Sequence, residues 1–209
     1  MNNATHSTKQ ILLDTAQSIV GRKGFSAVGL NEILQAAEVP KGSFYHYFTS
    51  KDAFGVVLLD HYFDSYVHGM QQLFSQPGLT GYAKLMRYWD CWIDNQTGCT
   101  HAGKCLAVKL GAEVSDLSEP MRLALQRGTA RTIALLAEAL EQAIADGSVE
   151  TAQPAQGLAQ CLYALWLGTS VMNKITRTTA PFDQALLLTR QLLGRPEPTD
   201  IHIDRGTGK

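Results

Sequence analysis

Cys105 is the residue whose surroundings most favour covalent chemistry. It lies in the segment THAGKCLAVKL, with Lys104 beside it, Lys109 four residues further on and His101 upstream. The pattern predicts the first turn of a helix, and both nearby cations and a helix N-terminus favour the thiolate, which is the reactive form of cysteine. A second interpretation stays open, because a free cysteine is commonly a small buried hydrophobe.

Lys174 is a second residue with possible chemistry. It lies near the end of a very apolar helical segment, between VMN and IT. It is either a helix-end residue that reaches towards solvent or an amine close to Cys105. In the second case it would stabilise the thiolate or capture its oxidised form.

The other three cysteines are weaker candidates. Cys91 lies between two tryptophans on a predicted helix, which predicts burial in the core, and Cys161 lies in the very apolar segment. Cys99, His101 and Cys105 could be read as metal ligands, but a structural zinc site has four. No CxxC pair and no cysteine–histidine–acid triad stands out, so we expect no catalytic residues, no metal and no cofactor.

Four large aromatic side chains at helical spacing could line a ligand pocket. The alternative is that they belong to the core, which is the commoner role of aromatic residues at this spacing. Both interpretations apply to the same four residues, Trp89, Trp92, Tyr163 and Trp166.

The segment VPKGSFYHYFTSKD, residues 39–52, mixes core-like and surface-like side chains. Projected at about 100° per residue, Phe44 and Phe48 share one face, which can dock onto the preceding helix. Gly42, Ser43 and His46 fall on the opposite face, which is polar and uncluttered. A helix that follows another after a short turn, with its N-terminal half free, has the geometry for entering a DNA major groove. The alternative is a tightly packed helical corner.

Seven residues of this segment are candidate DNA contacts. The small and polar ones can reach base edges, tyrosine hydroxyls commonly bond phosphates, and lysines neutralise phosphate charge. They are Lys41, Gly42, Ser43, Tyr45, His46, Tyr47 and Lys51.

Helical periodicity runs through nearly the whole chain, and no strand pattern is convincing, which predicts an all-α fold of about nine helices. We expect a three-helix head at residues 1–52, a larger helical body at 53–194 and a flexible Pro/Gly-rich tail at 195–209. Helix caps are predicted at Ser7 and Ser50, which would position the first and fourth helices.

Charge and hydropathy exclude some classes of protein. The net charge is −1, and residues 1–51 carry five basic and three acidic side chains, which permits nucleic-acid contact without requiring it. The charge-free stretch 151–173 predicts a buried helix, because its apolar part is shorter than the roughly 20 residues of a membrane span. The N-terminus lacks the layout of a signal peptide. We therefore expect a cytoplasmic protein with reduced thiols and no membrane contact.

Three parts of the N-terminal region resemble the helix-turn-helix signature of TetR-type transcriptional repressors. They are Gly24-Phe25, the pattern Leu30-x-x-Ile33-x-x-Ala36 and KGSFYHYFTSKDAF. The resemblance implies a DNA-binding head and a homodimer on a palindromic double-stranded operator, with one half-site per head. One departure is Glu38, which stands in the turn where the family usually has glycine. A non-glycine residue in a left-handed conformation costs about 1–2 kcal/mol.

The resemblance also implies that the last two helices pair with their twofold copies in a four-helix bundle. The composition of this region agrees, because it offers more apolar surface than one monomer easily covers. The residues concerned are Leu158, Leu162, Leu165, Trp166, Leu186, Leu192 and Leu193. The alternative is that they form an ordinary core.

The body resembles one branch of the same family. CLAVKLGAEVSDLSEPMR, residues 105–122, and CLYALWLG, residues 161–168, are similar to repressors of detoxifying reductases that are released when electrophiles or oxidants modify a cysteine. The resemblance implies that Cys105 is the sensing thiol. The alternatives are a repressor with a non-covalently bound small-molecule inducer, a cytoplasmic thiol enzyme and a passive helical interaction module. Of these classes, we do not expect an enzyme.

Overall fold

A computed structural model of the chain describes residues 7–98 and 105–194, and these residues form nine helices and no strand. The prediction of an all-α fold with about nine helices is confirmed. The helices are α1 Thr8–Lys23, α2 Leu30–Ala36, α3 Lys41–Tyr47, α4 Lys51–Phe74, α5 Gly81–Thr97, α6 Leu106–Leu117, α7 Glu119–Ala145, α8 Ala155–Thr176 and α9 Ala180–Leu192.

The predicted serine caps are both present. The Ser7 hydroxyl accepts a hydrogen bond from the backbone N–H of Gln10 at the start of α1, and the Ser50 hydroxyl accepts one from Ala53 at the start of α4. Each hydroxyl satisfies a backbone donor that has no partner inside the helix. Helix α3 begins at Lys41, and Pro40 is its N-cap residue.

The first four helices share an aromatic core. The Phe44 and Phe48 side chains of α3 are buried as predicted. The ring centre of Phe54, at the start of α4, lies 5.3 Å from that of Phe44 and 4.8 Å from that of Phe48. Because each ring fills a site between helices, the three rings hold α3 in one orientation. The sequence predicted the first two anchors and missed the third.

Helix α7 is the centre of the larger group of helices, since it packs against α4, α5, α6 and α8. Its closest approach to α4 is at Gly128, where an added Cβ would overlap the ring of Phe63. The absence of a side chain there lets the two helices pack closely. Helix α4 thus contributes Phe54 to the aromatic core of the head and Phe63 to the contact with α7.

Helix α8 contains the charge-free stretch of the sequence. Its buried face includes Leu158, Leu162 and Trp166, which pack inside the helical body. None of the helices described here combines the length and apolarity needed to cross a membrane.

Candidate functional site

The outer face of α3 is open. Gly42 and His46 are exposed and Ser43 is half-buried, and a Cβ at Gly42 would meet no atom within 4 Å. Tyr45 and Tyr47 flank this face with 52% and 42% of their surfaces exposed. The predicted separation of anchoring phenylalanines from outward polar residues is therefore present. This arrangement leaves room for a partner to approach the helix backbone.

The two lysines at the ends of this segment differ. Lys41 is exposed, whereas Lys51 is half-buried. The Lys51 ammonium donates a hydrogen bond of 2.9 Å to the carbonyl of Phe25 and lies 4.7 Å from the centre of the Phe25 ring. Lys51 therefore ties α4 to the turn between α1 and α2, in addition to any contact it makes with phosphate.

The turn between α2 and α3 places Glu38 in the left-handed backbone conformation, which costs a non-glycine residue free energy. Glu38 has φ 55°, in the left-handed region. The Val39 N–H bonds to the Leu34 carbonyl at 3.0 Å and the Glu38 N–H bonds to the Gln35 carbonyl at 3.2 Å. These two bonds define a Schellman motif, in which glycine is the usual residue at the position of Glu38. The chain therefore accepts the backbone strain.

Cys105 is the N-cap residue of α6 and is 5% exposed. Burial raises the pKa of its thiol above the usual value. The Tyr62 hydroxyl, the backbone N–H groups of Val108 and Ala107, and the charge of Lys174 act in the opposite direction without cancelling the effect of burial. The two amides lie at the helix N-terminus without forming a capping hydrogen bond to the thiol. The amides of the helix terminus act in the predicted direction, but desolvation of the charge dominates, so the pKa of the thiol lies above its usual value.

A cluster of tyrosines lies around the Cys105 sulfur, and no pattern in the sequence predicted it. Tyr62 interacts with the sulfur by hydrogen bonding, and Tyr163 is close enough for the charge of the Cys105 thiolate to raise the pKa of its hydroxyl. The Tyr66 and Tyr88 hydroxyls bond to each other at 2.8 Å. These residues come from α4, α5 and α8, so no local sequence signal connects them to Cys105.

Lys174 lies on the exposed side of the last turn of α8. Its positive charge is nevertheless close enough to Cys105 to lower the pKa of the thiol. The two residues proposed from the sequence as sensor elements are thus electrostatically coupled. The charge of Lys109 lowers the pKa of the Glu113 carboxyl.

The four predicted pocket residues divide into two groups. Trp89 and Trp166 are fully buried and stack with ring centres 4.6 Å apart. Tyr163 is also buried, and its ring packs edge-on against Trp92. Of the four, Trp92 alone contributes to the wall of a cavity that lies between α4 and α5. The core interpretation therefore applies to three residues and the pocket interpretation to one.

A cavity of about 270 Å³ lies between α4 and α5, next to the start of α6. Its wall includes Tyr66, Tyr88, Cys91, Trp92, Gln96 and Cys105. Cys91 is exposed, so the prediction that it is buried in the core is wrong. Residues one or two positions apart on a helix face different directions, so Cys91 is exposed although Trp89 and Trp92 are buried.

The remaining thiols do not form a metal site with described neighbours. Cys161 is exposed. Cys99 and His101, two of the three possible metal ligands, lie outside the described residues. In the ranges 7–98 and 105–194, no group of three or more His, Cys, Asp or Glu side chains has the arrangement of a metal site.

Helix α6 links the cavity to the first helices of the chain. Leu106, which follows Cys105, lies against Gly21 of α1. One turn from the other end of α6, the Glu113 carboxylate accepts hydrogen bonds from the N–H groups of Ser26 at 2.6 Å and Phe25 at 3.3 Å. A movement of α6 at Cys105 would therefore reach the turn that precedes α2.

Helices α8 and α9 present exposed apolar side chains, but these differ from the predicted set. Leu158, Leu162, Trp166 and Leu193 are buried within the chain. Leu165, Leu186 and Leu192 are half-buried. The exposed apolar residues on these two helices are Val171, Met172, Ile175, Leu187 and Leu188.

The sequence matches two family models. Residues 12–54 match "Bacterial regulatory proteins, tetR family", and residues 81–188 match "Tetracyclin repressor-like, C-terminal domain". The first match includes α2, α3 and the start of α4, and the second runs from the start of α5 into α9. Both are families of transcriptional regulators, and neither is a family of enzymes.

Relatives of known type match almost the whole chain. The HTH-type transcriptional repressor NemR of Escherichia coli (strain K12) is 41% identical over 200 residues, which cover 94% of this chain and 99% of NemR. The HTH-type transcriptional repressor DhaR of Mycobacterium sp. (strain GP1) is 28% identical over 88% of this chain and 91% of DhaR. The crystal structure of the reduced form of E. coli NemR superposes with a TM-score of 0.85 at 39% identity, covering 91% of this chain and 99% of that one.

Proposed function

Because the chain belongs to the TetR family of transcriptional repressors and is close to NemR, we propose that electrophiles or oxidants release it from its operator by modifying Cys105. The observation that carries this proposal is the position of Cys105. The thiol borders the cavity, and it begins the helix whose Glu113 holds the turn before α2. Chemistry at the cavity thus has a direct structural route to the DNA-binding helices.

The burial of Cys105 determines how it would react. A thiol whose pKa is raised by burial is a poor nucleophile towards molecules that collide with it from bulk solvent. A reagent held in the cavity beside the sulfur reacts more readily, because binding supplies proximity and orientation. The proposal therefore requires that the inducer first enters the cavity.

Two classes of reagent would modify the thiol. With a peroxide, the thiolate attacks one oxygen, an S–O bond forms as the O–O bond breaks, and the product is a sulfenic acid with loss of water or alcohol. With an enone or quinone, an S–C bond forms at the β-carbon and the electron pair is protonated on the electrophile. Either product adds bulk and polarity to a buried helix start, which favours displacement of α6.

Lys174 is proposed as the second element of the sensor. Its charge stabilises the thiolate. It can also react with the sulfenic acid, because attack of the neutral amine on sulfur forms an S–N bond and releases water. This step would join the end of α8 to the start of α6 and hold the displaced arrangement.

The DNA-binding half of the proposal rests on the outer face of α3. Members of this family bind DNA operators and typically dimerise. We infer that the α3 helices of a homodimer enter successive major grooves of a palindromic operator, with half-sites about one or more helical turns apart. The proposed contacts are Lys41, Gly42, Ser43, Tyr45, His46, Tyr47 and Lys51.

The proposed dimer interface is the exposed apolar face of α8 and α9. Contiguous exposed apolar side chains on a protein of this size mark an interaction surface. Val171, Met172 and Ile175 of α8 lie on the same side as Leu187 and Leu188 of α9 in the proposed four-helix bundle. Lys174 lies in the same turn of α8 as Met172 and Ile175. A modification of Cys105 that engages Lys174 would therefore also affect this interface.

A second candidate mechanism is supported by the cavity itself. A small molecule that fills the cavity without reacting could displace α6 by binding alone. This mechanism and the covalent one predict different behaviour for a variant that lacks the thiol but keeps the cavity.

The experiment is a binding titration on promoter DNA adjacent to the gene, with and without hydrogen peroxide or benzoquinone. The parent protein should bind the DNA and be released by either reagent. Cys105→Ser should bind and stay bound, whereas the matched control Cys161→Ser, which changes an exposed thiol, should be released like the parent. His46→Ala should fold but bind DNA weakly in all conditions. Release of Cys105→Ser by both reagents would contradict covalent sensing and favour a non-covalent inducer.

A further inference from the structure

Gln96 is the unusual residue in the wall of the cavity. Its side chain is 9% exposed, and its Oε1 atom accepts no hydrogen bond from any residue that the structure describes. Buried polar side-chain atoms nearly always have a partner in folded proteins, and an exception at a cavity calls for an explanation.

The other buried polar groups of this wall are already paired. The Tyr66 and Tyr88 hydroxyls bond to each other at 2.8 Å. The Trp92 indole N–H donates to the Ser170 hydroxyl at 2.9 Å. Among the described residues of this wall, Gln96 carries the buried side-chain atom that has no hydrogen-bond partner.

The shape of the cavity restricts its ligand. A cavity of about 150 Å³ is enough to bind benzene, and this one has a volume of about 270 Å³. Tyr66, Tyr88 and Trp92 make part of the wall aromatic. Aromatic walls favour flat rings that stack or meet them edge-on. A single ring with one or two substituents fits these limits.

We propose that the cavity binds a small ring that carries a hydroxyl, of the phenol or hydroquinone class, with the hydroxyl bonded to the Gln96 amide. The ring is held against Trp92, beside the Cys105 sulfur. A hydroxyl both donates and accepts, and the glutamine amide offers a carbonyl acceptor and N–H donors. The last torsion of glutamine is soft, so the amide can turn towards the ligand. The assignment rests on the proposed function in one respect, since it names the class of ligand held non-covalently beside the proposed sensing thiol; it requires no reaction between that ligand and Cys105.

The test measures non-covalent binding to the full-length chain. Cys91→Ser and Cys105→Ser are introduced together, because both thiols border the cavity and their chemistry would obscure binding. Phenol and toluene are the probes, since they differ by a hydroxyl in place of a methyl group. Their dissociation constants are measured by ligand-observed NMR titration for this parent, for Gln96→Leu and for Asn95→Leu. Asn95 borders the same cavity but is exposed, so its variant is a matched amide-to-leucine control.

We expect the parent to bind phenol about tenfold more tightly than toluene, because only phenol can pair with the buried amide. Gln96→Leu should remove this preference, and Asn95→Leu should keep it. The thermal midpoint of Gln96→Leu should be equal to or above that of the parent, because the change removes an unpaired polar group and keeps most of the volume. A parent without preference for phenol, or a preference that survives Gln96→Leu, overturns the proposal.

The outcome is separable from that of the proposed function. The titration uses a protein without the two thiols that border the described part of the cavity, so it succeeds or fails regardless of what Cys105 does. Operator release by peroxide in the parent but not in Cys105→Ser would support the sensing mechanism even if the protein bound phenol no more tightly than toluene.

Discussion

Tyr62→Phe tests the environment of Cys105 most directly. The Tyr62 hydroxyl lowers the pKa of the Cys105 thiol by hydrogen bonding to the sulfur, while burial raises it. Phenylalanine keeps the ring and the burial but removes the hydroxyl. The pKa of the thiol should therefore rise further, and the thiolate fraction at neutral pH should fall.

The size of the effect follows from the difference between two hydrogen bonds. A bond to a charged acceptor contributes about 1.5–3 kcal/mol, and one to a neutral acceptor about 0.5–1.5 kcal/mol. A difference of about 1.4 kcal/mol lowers the thiolate fraction about tenfold. A more basic thiolate is also a better nucleophile, with a Brønsted coefficient of about 0.4–0.5, which returns roughly a factor of three. The alkylation rate at neutral pH should therefore fall about threefold to fourfold.

The assay is the rate of Cys105 alkylation by iodoacetamide, followed by mass spectrometry across a pH series. Cys91, Cys99 and Cys161 are replaced by serine, which leaves Cys105 as the sole thiol of the four in the chain. Tyr163→Phe is the matched control, because the charge of Cys105 raises the pKa of Tyr163, which places its hydroxyl near the thiol, but no hydrogen bond to the sulfur contributes to that pKa.

Three results would refute this reasoning. In the first, Tyr62→Phe leaves both the rate and its pH dependence unchanged, which would mean that the hydroxyl does not act on the sulfur. In the second, Tyr163→Phe slows alkylation as much as Tyr62→Phe, which would mean that the loss of any nearby hydroxyl changes the burial of the thiol. A faster reaction in Tyr62→Phe would point to better access and would also contradict the argument.

Two further predictions concern the link to the head and the strained turn. Burial acts to raise the pKa of Glu113, but hydrogen bonds from Ser26 and Phe25 and the charge of Lys109 outweigh it, so the pKa lies below its usual value. A depressed carboxyl pKa stabilises the fold above the unfolded-state pKa, and that contribution is lost as pH falls through the folded-state pKa. Glu113→Gln should lower the free energy of unfolding by about 0.5–1 kcal/mol at neutral pH after solvent screening, and the two proteins should converge in acid; a constant difference down to full protonation would contradict this. Glu38→Gly should raise the urea midpoint by an amount equivalent to about 1 kcal/mol, because glycine accepts a φ of 55° without strain; an equal gain in Glu38→Ala would refute the role of backbone strain.

The positions of the helices could be predicted from the sequence because their causes are local. The caps at Ser7 and Ser50 depend on residues three positions away, and helical periodicity depends on neighbours three or four positions away. The two faces of α3 follow from the same periodicity, which is why Phe44 could be separated from His46 without coordinates. The identity of the face that contacts DNA stays a prediction.

Local periodicity did not predict the contacts of α3 or the exposure of Cys91 on α5. Phe54 completes the aromatic core of the head, but its contact with Phe44 depends on how α4 crosses α3. Cys91 was placed in the core on the basis of its sequence neighbours, whereas its exposure is set by the direction in which α5 faces α4. Helical periodicity predicts which residues share a face of a helix, but it does not predict what that face contacts.

The sequence by itself determined the all-helical fold, the repressor family and the identity of Cys105 as a thiol near cations. Only the tertiary structure decided the state of that thiol, because desolvation depends on groups brought together from α4, α5 and α8. It also decided that Glu113 reaches Ser26, 87 residues away in the chain, and that Gln96 lacks a described partner. The physical reason is range: hydrogen bonds within a helix join near neighbours, whereas burial and charge act between any residues that the fold places close together.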